Sequence, residues 1–418
     1  MAEIEQVAHI IGAGMAGLAA ACAASARGWH VVLYEAAPMA GGRCRSYPDK
    51  QLDRVLDNGT HLLLGAYEET FVYLRRIGAA QGLTEWPAAY PMAEPGAALS
   101  WTVRLEGALR DRWRDRPPGV SATTLLSDIW RLKNASPRAT VADCVGARSP
   151  ALRRLWEPMT LAILNTAPEK ASAQLLWAAI SKGLLGPVPA RKPFIAQQGL
   201  GTALVDPALN WLRDRGAEIF FGTRLTGIHA TRVQVAGLVF TSMEIPVEMD
   251  DIIILAVPPN AVPVSLGLIP APLPQNEILN LHFKLPQVTP LPGGAPFRGL
   301  VGTQAQWVFQ RGDVVSVTIS DAAHSRTEHK EAIAAAVWSE IAPLLGLTPE
   351  PMPPHRLIRE KAATVAQTPD FAAARPGPVT RYNNLFLAGD WTDTGLPATI
   401  ESAVLSGHLA VAAAGDIK

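Results

Sequence analysis

A glycine turn at residues 12–17 constrains the fold of this chain more than any other stretch. The apolar run Val7–Ile11 predicts a buried strand, which Gly12, Gly14 and Gly17 follow in a G-x-G-x-x-G pattern, and residues 18–26 are typical of a helix. Gly12 permits the tight turn, Gly14 lets the backbone approach a pyrophosphate, and Gly17 lets the helix pack closely on the strand. This order of elements predicts a dinucleotide-binding unit.

The residues around this turn strengthen the interpretation. The first turn of the helix, with Met15 and Ala16, offers free N–H groups and a positive dipole end to phosphates. Residues 31–34 predict a second strand that ends at Glu35, followed by Ala36. Glu35 can accept hydrogen bonds from ribose hydroxyls, and its charge repels a 2′-phosphate, which disfavours NADP. The alternative is a chance glycine trio in an ordinary βαβ turn.

Composition narrows the classes of protein to which such a unit can belong. The chain has 418 residues, enough for two or three domains, and its 37 basic and 37 acidic residues cancel. No basic excess is available to neutralise phosphates, so we expect no nucleic-acid partner. Cys22, Cys44 and Cys144 lie far apart, so neither a disulfide framework nor a metal site is expected. Because no spanning apolar run and no secretory leader are visible, we expect a cytoplasmic protein.

Two loops after the second predicted strand carry candidate ligand groups. Gly41, Gly42 and Arg43 form the first, and its N–H groups and guanidinium can meet phosphate or flavin oxygens. The alternative for this loop is a solvated basic turn. The second loop, Asp57-Asn58-Gly59-Thr60, leads into His61 and in most proteins would be an ordinary turn.

The glycine turn, the acid at Glu35 and the Gly41-Gly42-Arg43 loop resemble the flavin-containing amine oxidase and carotenoid desaturase superfamily. In that superfamily the Gly-Gly-Arg loop runs beside FAD, so the resemblance implies FAD rather than NAD. It also implies that the strand near Leu225 flanks the adenine and that the segment Asn58-Gly59-Thr60 lies beside the cofactor.

The second half of the flavin signature lies near the C-terminus. A predicted strand ends at Gly389 and Asp390, and a turn at Pro397 starts a helix that continues to about residue 414. Gly389 permits close approach of the backbone, and Asp390 can bond a ribityl hydroxyl. The N–H groups of Ala398-Thr399-Ile400 and the helix dipole favour negative charge at flavin N1 and O2, which stabilises reduced flavin.

Several longer stretches indicate one family within this superfamily. They are residues 57–67, 156–158, 165–166, 280–283, 306–309, 315–320 and 387–401. Together they resemble the squalene-associated FAD-dependent desaturases, better described as hydroxysqualene dehydroxylases of hopanoid biosynthesis. The resemblance spans nearly the whole chain, although residues 86–149 match only loosely. Ser402 departs from the superfamily pattern, which often has glycine there.

This resemblance implies a reductive reaction in which hydroxysqualene loses its hydroxyl group, gains a hydride and becomes squalene. Hydroxide is a poor leaving group, so an acid must protonate it. The pocket must be long, apolar and dry, which suits the 48% hydrophobic composition. Trp307 and Phe309 are candidates for lining this pocket, with ordinary core packing as the alternative.

Two residues are candidates for the acid. His61 follows the Asp-Asn-Gly turn and can face the flavin ring, or it can be a histidine that the backbone satisfies. Glu157, between Trp156 and Pro158, is the second candidate, and a surface carboxylate is its alternative. Asp57 is interpreted as holding the turn rather than as a proton donor.

These patterns predict an α/β protein with a discontinuous Rossmann-type FAD-binding domain and an inserted α+β substrate domain. The FAD-binding domain is predicted to comprise residues 1–82, 197–262 and 351–418. Residues 83–196 are predicted as the helical part of the substrate domain, and residues 263–350 as its antiparallel sheet.

Partners follow from the expected substrate, a lipid. We expect peripheral membrane contact, with the mostly apolar residues 175–197 as a candidate surface and a core helix with a polar loop as the alternative. No second nucleotide fingerprint is visible, so the electron donor is not identified. Two other functions stay open: an oxidising polyprenyl desaturase or amine oxidase, and a flavin-binding or lipid-carrier protein without turnover.

Overall fold

A computed structural model describes residues 6–107, 116–146, 149–269 and 273–416. Its α-helices are, in chain order, α1 Met15–Ala26, α2 Glu68–Arg76, α3 Ala122–Lys133, α4 Val141–Cys144, α5 Glu157–Leu164, α6 Ala173–Lys182, α7 Asp206–Arg213, α8 Lys330–Ile341, α9 Pro369–Ala374 and α10 Ile400–Gly415. Its strands are β1 Val7–Ile11, β2 His30–Tyr34, β3 Ser46–Asp49, β4 Arg54–Asp57, β5 Leu63–Leu64, β6 Leu83–Glu85, β7 Ala89–Glu94, β8 Leu99–Arg104, β9 Pro193–Ala196, β10 Glu218–Phe220, β11 Leu225–Ala230, β12 Val235–Phe240, β13 Glu244–Pro246, β14 Ile252–Leu255, β15 Gln275–Lys284, β16 Phe297–Leu300, β17 Trp307–Arg311, β18 Val314–Ser320, β19 His355–Val365 and β20 Leu385–Leu387.

A parallel sheet in the order β10-β2-β1-β14-β20 forms the base of the molecule. Strand β14 is a continuous apolar run, with all four side chains buried, because both faces of the sheet are covered at its position. Helices α1 and α10 cover one face, and they touch closely, since a Cβ on Gly407 would lie 2.3 Å from the backbone oxygen of Ala16. The predicted Rossmann-type domain is therefore confirmed.

A smaller antiparallel sheet, β11-β12-β13, covers the other face. Residues 197–262, predicted as the second part of the FAD-binding domain, contribute strands to both of these sheets. Only β10 and β14 pair within the parallel sheet. The three strands between them carry buried side chains such as Leu238 and Phe240 on one face, so they pack as a separate layer.

A seven-stranded sheet in the order β19-β15-β18-β17-β16-β7-β8 forms the second large layer. Along β15, Leu279 and Leu281 pack against α8, whereas the alternate residues Asn280 and His282 point to the opposite face. We call that opposite face the site face of the sheet. The predicted substrate domain with a sheet is thus confirmed, and its strands pair antiparallel except for β16 and β7, which pair in parallel.

Three strands of this sheet lie outside the predicted sheet segment of residues 263–350. Strands β7 and β8 come from the segment predicted as helical, and β19 comes from the predicted C-terminal part of the FAD domain. Strand β7 was difficult to predict because it contains a proline, Pro91, which pairs with Thr102 of β8. The domain boundaries stay a prediction, and positions 1–5, 108–115, 147–148, 270–272 and 417–418 lie outside the described residues.

The helical part of the substrate domain comprises α3 to α6. Their inward-facing side chains, among them Leu132, Leu164 and Leu176, join the core beneath the parallel sheet. No helix among the described residues is both long enough and apolar enough to cross a bilayer.

Candidate functional site

The glycine turn between β1 and α1 leaves one place open. A Cβ on Gly12 would lie 2.5 Å from the backbone oxygen of Ala256, and a Cβ on Gly17 would lie 1.7 Å from that of Gly12. Gly14 differs, because a Cβ there would meet nothing within 4 Å. The turn thus packs tightly on β14 while an uncovered space remains above Gly14, beside the free N–H groups at the start of α1.

Glu35 lies at the end of β2 beside this turn. Its carboxylate accepts hydrogen bonds from the backbone N–H groups of Ala13 (2.8 Å) and Ala37 (2.7 Å). Ala36 lies between the acid and that second donor. Each carboxylate oxygen keeps a further lone pair, so Glu35 is oriented and still able to accept from a ribose.

The Gly41-Gly42-Arg43 loop lies across the glycine turn. The N–H of Gly41, which has φ of 103°, donates to the backbone oxygen of Ala13 over 2.8 Å. A Cβ on Gly42 would lie 3.3 Å from the Cα of Gly14. A side chain at Gly42 would therefore enter the space above Gly14, whereas a Cβ on Gly41 would lie 3.0 Å from the Cα of Arg45.

Arg43 pairs with Asp390 across 347 positions of sequence. Nη1 and Nη2 of Arg43 donate to the two carboxylate oxygens over 2.9 and 2.8 Å, and Nη1 also donates to the backbone oxygen of Ala363 (2.7 Å). The Asp390 carboxylate raises the pKa of Arg43. From the sequence, Arg43 and Asp390 were each expected to bind a different part of the cofactor. In the structure they bind each other, and this ion pair connects the two halves of the flavin signature.

The start of α10 is built as the sequence predicts, with one difference. Thr399 caps the helix by accepting from the N–H of Ser402 (3.3 Å), and Gly389 donates to Ser406 (2.8 Å) just below it. The N–H of Ala398, which follows Pro397, already donates to Oε1 of Gln367 over 2.8 Å. Fewer free N–H groups therefore face the site than the sequence suggests.

A buried polar junction joins the loop after β4 to the site face of the large sheet. Asp57 accepts from the N–H of Leu200 (3.0 Å) and from Nη1 of Arg311 (2.6 Å). The backbone oxygen of Asn58 accepts from Nδ2 of Asn280 (3.0 Å). A Cβ on Gly59 would lie 3.2 Å from that same amide nitrogen. Asp57 thus holds the loop against two other segments, which extends its predicted role.

Asn58 contributes an unused acceptor. Its Nδ2 donates to Oε2 of Glu360 over 3.1 Å, but its buried Oδ1 has no hydrogen-bond donor within the described part of the chain. A buried acceptor without a donor is costly unless a ligand or water supplies one. Together with the open space above Gly14, this atom shows that the residues fit an extended dinucleotide such as FAD.

His61 and Thr60 line a small cavity with Ser316 and Phe309, between the loop after β4 and the site face. Burial lowers the pKa of His61 to about 4. Ser316 Oγ lies 2.8 Å from Nδ1 of His282, a buried histidine whose pKa burial likewise lowers to about 4. Both imidazoles are thus neutral near pH 7, and each can offer one N–H and one acceptor nitrogen.

The other candidates lie elsewhere. Glu157 is exposed at the first turn of α5 and is not among the residues that line this cavity. Its neighbour Trp156 points inward and donates to buried Asp128 (2.9 Å). Leu225 is half-buried at the start of β11, on the layer that covers β2 and β14.

Aromatic side chains continue the site face beyond the polar junction. Trp307 and Phe309 lie on it with their rings 6.4 Å apart, and Phe309 clusters with Phe297 and Tyr90 of the neighbouring strands. The indole N–H of Trp307 is buried without a partner among the described residues. The face therefore changes from hydroxyl, amide and imidazole groups at one end to aromatic rings at the other.

Sequence reasoning missed several residues that build this site: Glu360, Arg311, Gln367, Ser316 and the pairing of His282. Segments containing two of them, 280–283 and 315–320, were noticed only for their resemblance. The alternation of polar and apolar residues along β15 and β18 was the one local signal that could have identified their face.

Comparisons with known proteins agree with this geometry. A family model described as flavin containing amine oxidoreductase matches residues 15–414. The chain is 38% identical over 413 residues to the hydroxysqualene dehydroxylase of Rhodopseudomonas palustris, and the alignment covers 97% of this chain and 98% of that protein. It is 36% identical over 409 residues to the protein of the same name from Zymomonas mobilis, with 97% and 98% covered.

Solved structures support the fold alone. The cyclohexylamine oxidase of Brevibacterium oxydans superposes with a TM-score of 0.72 at 16% identity, and the match covers 99% of each chain. Identity this low shows a shared architecture and leaves the substrate open.

Proposed function

We propose that this chain, which belongs to the flavin containing amine oxidoreductase family, reductively removes the hydroxyl group of hydroxysqualene and releases squalene. Hydroxysqualene dehydroxylases of the same family match it over nearly its whole length. The protein is an FAD-dependent oxidoreductase, and the cofactor expected from the sequence is confirmed by this family.

We propose that the residues around the glycine turn and the C-terminal helix hold FAD. Those that would bind it are Gly12, Gly14, Met15, Ala16, Gly17, Glu35, Ala36, Gly41, Gly42, Arg43, Asn58, Gly59, Thr60, Leu225, Gly389, Asp390, Pro397, Ala398, Thr399 and Ile400. Bound reduced FAD supplies a hydride to the substrate carbon. Because Arg43 and Asp390 neutralise each other, we expect the pair to position the loop and α10 around the cofactor.

The chemical character of the cavity wall carries the proposal. Its charged members, Asp57 and Arg311, pair with each other over 2.6 Å, and the amide of Gln310 is bonded to the backbone of Leu291 and Thr289. The other polar groups that can meet a substrate are the hydroxyls of Thr60 and Ser316 and the imidazole of His61. Aromatic and aliphatic side chains form the rest. The hydroxyl-bearing part of a hydrocarbon chain matches such a surface, because few polar groups lose water when it binds.

His61 is our preferred group for handling the proton that the departing hydroxyl requires. It borders the cavity, whereas Glu157 is exposed on α5 and is kept as the weaker candidate. A neutral imidazole donates its N–H to the substrate oxygen as a hydrogen bond, and it carries a second proton to transfer to the departing hydroxyl only if negative charge nearby raises its pKa. Ser316, held by His282, is placed to orient the same oxygen.

Anaerobic mixing of the reduced holoenzyme with hydroxysqualene tests the function. We expect the flavin absorbance to return without oxygen, and mass spectrometry of the lipid extract to show one squalene for each flavin oxidised. Reduced enzyme that stays reduced with hydroxysqualene, while oxidised enzyme accepts electrons from a carotenoid precursor or an amine, would replace the proposal by the desaturase or oxidase alternative. Bound FAD with no redox response to any of these lipids would favour a carrier.

We also propose an external electron donor, because the chain offers one nucleotide fingerprint and FAD accounts for it. Peripheral contact with a membrane fits a substrate that dissolves in lipid, and the cytoplasmic location stays a prediction.

A further inference from the structure

We propose that helix α3 docks the protein on the surface of an anionic lipid bilayer, through a patch made of Leu126, Trp130, Arg131 and Lys133, which we call the α3 patch. The inference extends the proposed function, which requires a substrate held in lipid, to a site that neither the sequence analysis nor the comparisons assign.

The α3 patch begins with two large apolar side chains that face solvent. Leu126 is 54% exposed and Trp130 is 66% exposed, although Leu125 and Leu132 on the other side of the helix are buried. Residues four apart lie on one face of a helix, so Leu126 and Trp130 adjoin each other. An exposed tryptophan beside a leucine is the pattern of a helix that inserts its apolar face at the boundary of headgroups and acyl chains.

Charge identifies the surface that this face fits. Arg131 and Lys133 in the last turn of α3 are exposed, and so is Arg138 just after it. The acid of the helix, Asp128, is buried and accepts a hydrogen bond from Trp156, and its electrostatic interaction within the patch is with Arg131. Within the described part of the chain, no carboxylate forms an ion pair with Arg131 or Lys133. Cations around an exposed tryptophan complement anionic lipid headgroups.

The predicted membrane segment, residues 175–197, does not have this character. Leu175, Leu176 and Ile180 of α6 are buried in the core that α6 shares with α3. Only the loop after α6 exposes apolar side chains, Leu185 (39%) and Val188 (45%). The segment therefore serves mainly as the packing partner of the helix that carries the patch, in agreement with the core-helix alternative.

Sedimentation with vesicles tests the proposal. The oxidised holoenzyme is mixed with vesicles of phosphatidylcholine alone, or of phosphatidylcholine with phosphatidylglycerol, at low and at high salt. We expect sedimentation with the anionic vesicles at low salt, weaker sedimentation at high salt, and little with the neutral vesicles. The Leu126→Ser/Trp130→Ser variant should lose at least about tenfold in vesicle affinity, and Arg131→Gln/Lys133→Gln about tenfold.

Val264→Ser provides a matched control, because Val264 is 95% exposed in a different part of the fold. This variant should bind vesicles like the parent. Circular dichroism and the flavin spectrum establish that each variant is folded and loaded. Hydroxysqualene supplied in detergent separates this proposal from the proposed function, since the patch variants should turn it over like the parent.

Three results would overturn the assignment. One is a parent protein that stays in the supernatant with every vesicle composition. Another is a Leu126→Ser/Trp130→Ser variant that is folded and binds vesicles like the parent. The third is a parent that elutes as a dimer without lipid and is converted to a monomer by the same variant, because the patch would then join two copies of the chain.

Discussion

The two ends of the cofactor site are built in different ways. At the adenosine end, the turn between β1 and α1 uses the backbone of consecutive residues, and its shape depends on the absence of side chains at Gly12 and Gly17. At the flavin end, the site is assembled from three distant segments, as the contacts of Asn58 with Glu360 and Asn280 show. The first end is therefore intolerant of added atoms, and the second is sensitive to lost partners.

The largest effect is expected at the adenosine end. Gly17→Ala places a Cβ 1.7 Å from a backbone oxygen that cannot move without displacing β1, so we expect a loss of more than about 4 kcal/mol in the free energy of unfolding. Gly14→Ala is the matched control: the space around Gly14 is open, so this variant should fold normally but bind FAD more weakly. Denaturation curves measure the loss of stability, and flavin titration measures the loss of FAD affinity. Equal stability of the two variants would contradict the expected difference between Gly17 and Gly14.

The buried histidines at the flavin end predict an acid-sensitive stability. Burial holds the pKa values of His61 and His282 at about 4, below the ordinary 6.5, so the unfolded chain takes up protons first as the pH falls. The stabilisation is complete above pH 6.5 and is lost as the pH falls toward 4, by up to about 3 kcal/mol for each histidine. Urea titrations across this range should show a smaller loss for His61→Gln and for His282→Gln. If the free energy of unfolding of these variants fell with pH as steeply as that of the parent, the two histidines would not be the cause of the acid sensitivity.

Arg43 and Asp390 connect the two ends of the site, so breaking this ion pair should destabilise both ends. Arg43→Met leaves Asp390, whose side chain is 8% exposed, without its cation, and since Arg43 itself is 40% exposed we expect a loss of about 2 kcal/mol. The Arg43→Met/Asp390→Asn double variant should recover part of this stability. A double-mutant cycle on the apoprotein measures the coupling, and strictly additive losses would show that the pair does not join the two ends.

The smallest effect is expected at the cap of α10. Thr399→Ala removes the acceptor for the N–H of Ser402 and should cost about 1 kcal/mol, whereas Thr399→Ser keeps the hydroxyl and should cost little. Thermal unfolding of the three proteins checks this order. Equal stability of Thr399→Ala and the parent would mean that another group caps the helix.

The adenosine end could be predicted from the sequence because a short consecutive stretch contains both its pattern and its geometry. Strand β1 and its glycines were predicted correctly, and Glu35 accepts hydrogen bonds at the predicted end of β2. The start of α10 was predicted for the same reason, since Pro397 and Thr399 are local signals.

The flavin end could be predicted only in outline. The contacts of Asn58 with Glu360 and of Arg311 with Asp57 join residues 302 and 254 positions apart, and no periodicity in either segment indicates its partner. The pairing of Arg43 with Asp390 was missed because each residue was matched separately to a ligand group. Strand β7 lies in the segment that was predicted as helical, and it contains Pro91, whose missing N–H is unfavourable in most strand positions.

The close contact of α10 with α1 sets an order of events during synthesis. Because Gly407 packs on the backbone of Ala16, and Asp390 is the partner of Arg43, the pyrophosphate cradle lacks a wall until the segment that contains α10 has left the ribosome. The glycine turn must therefore wait for the later segment that contains Asp390 and α10. FAD loading should follow the emergence of α10 from the ribosome, and ribosome-bound chains that stop before residue 389 should capture no flavin.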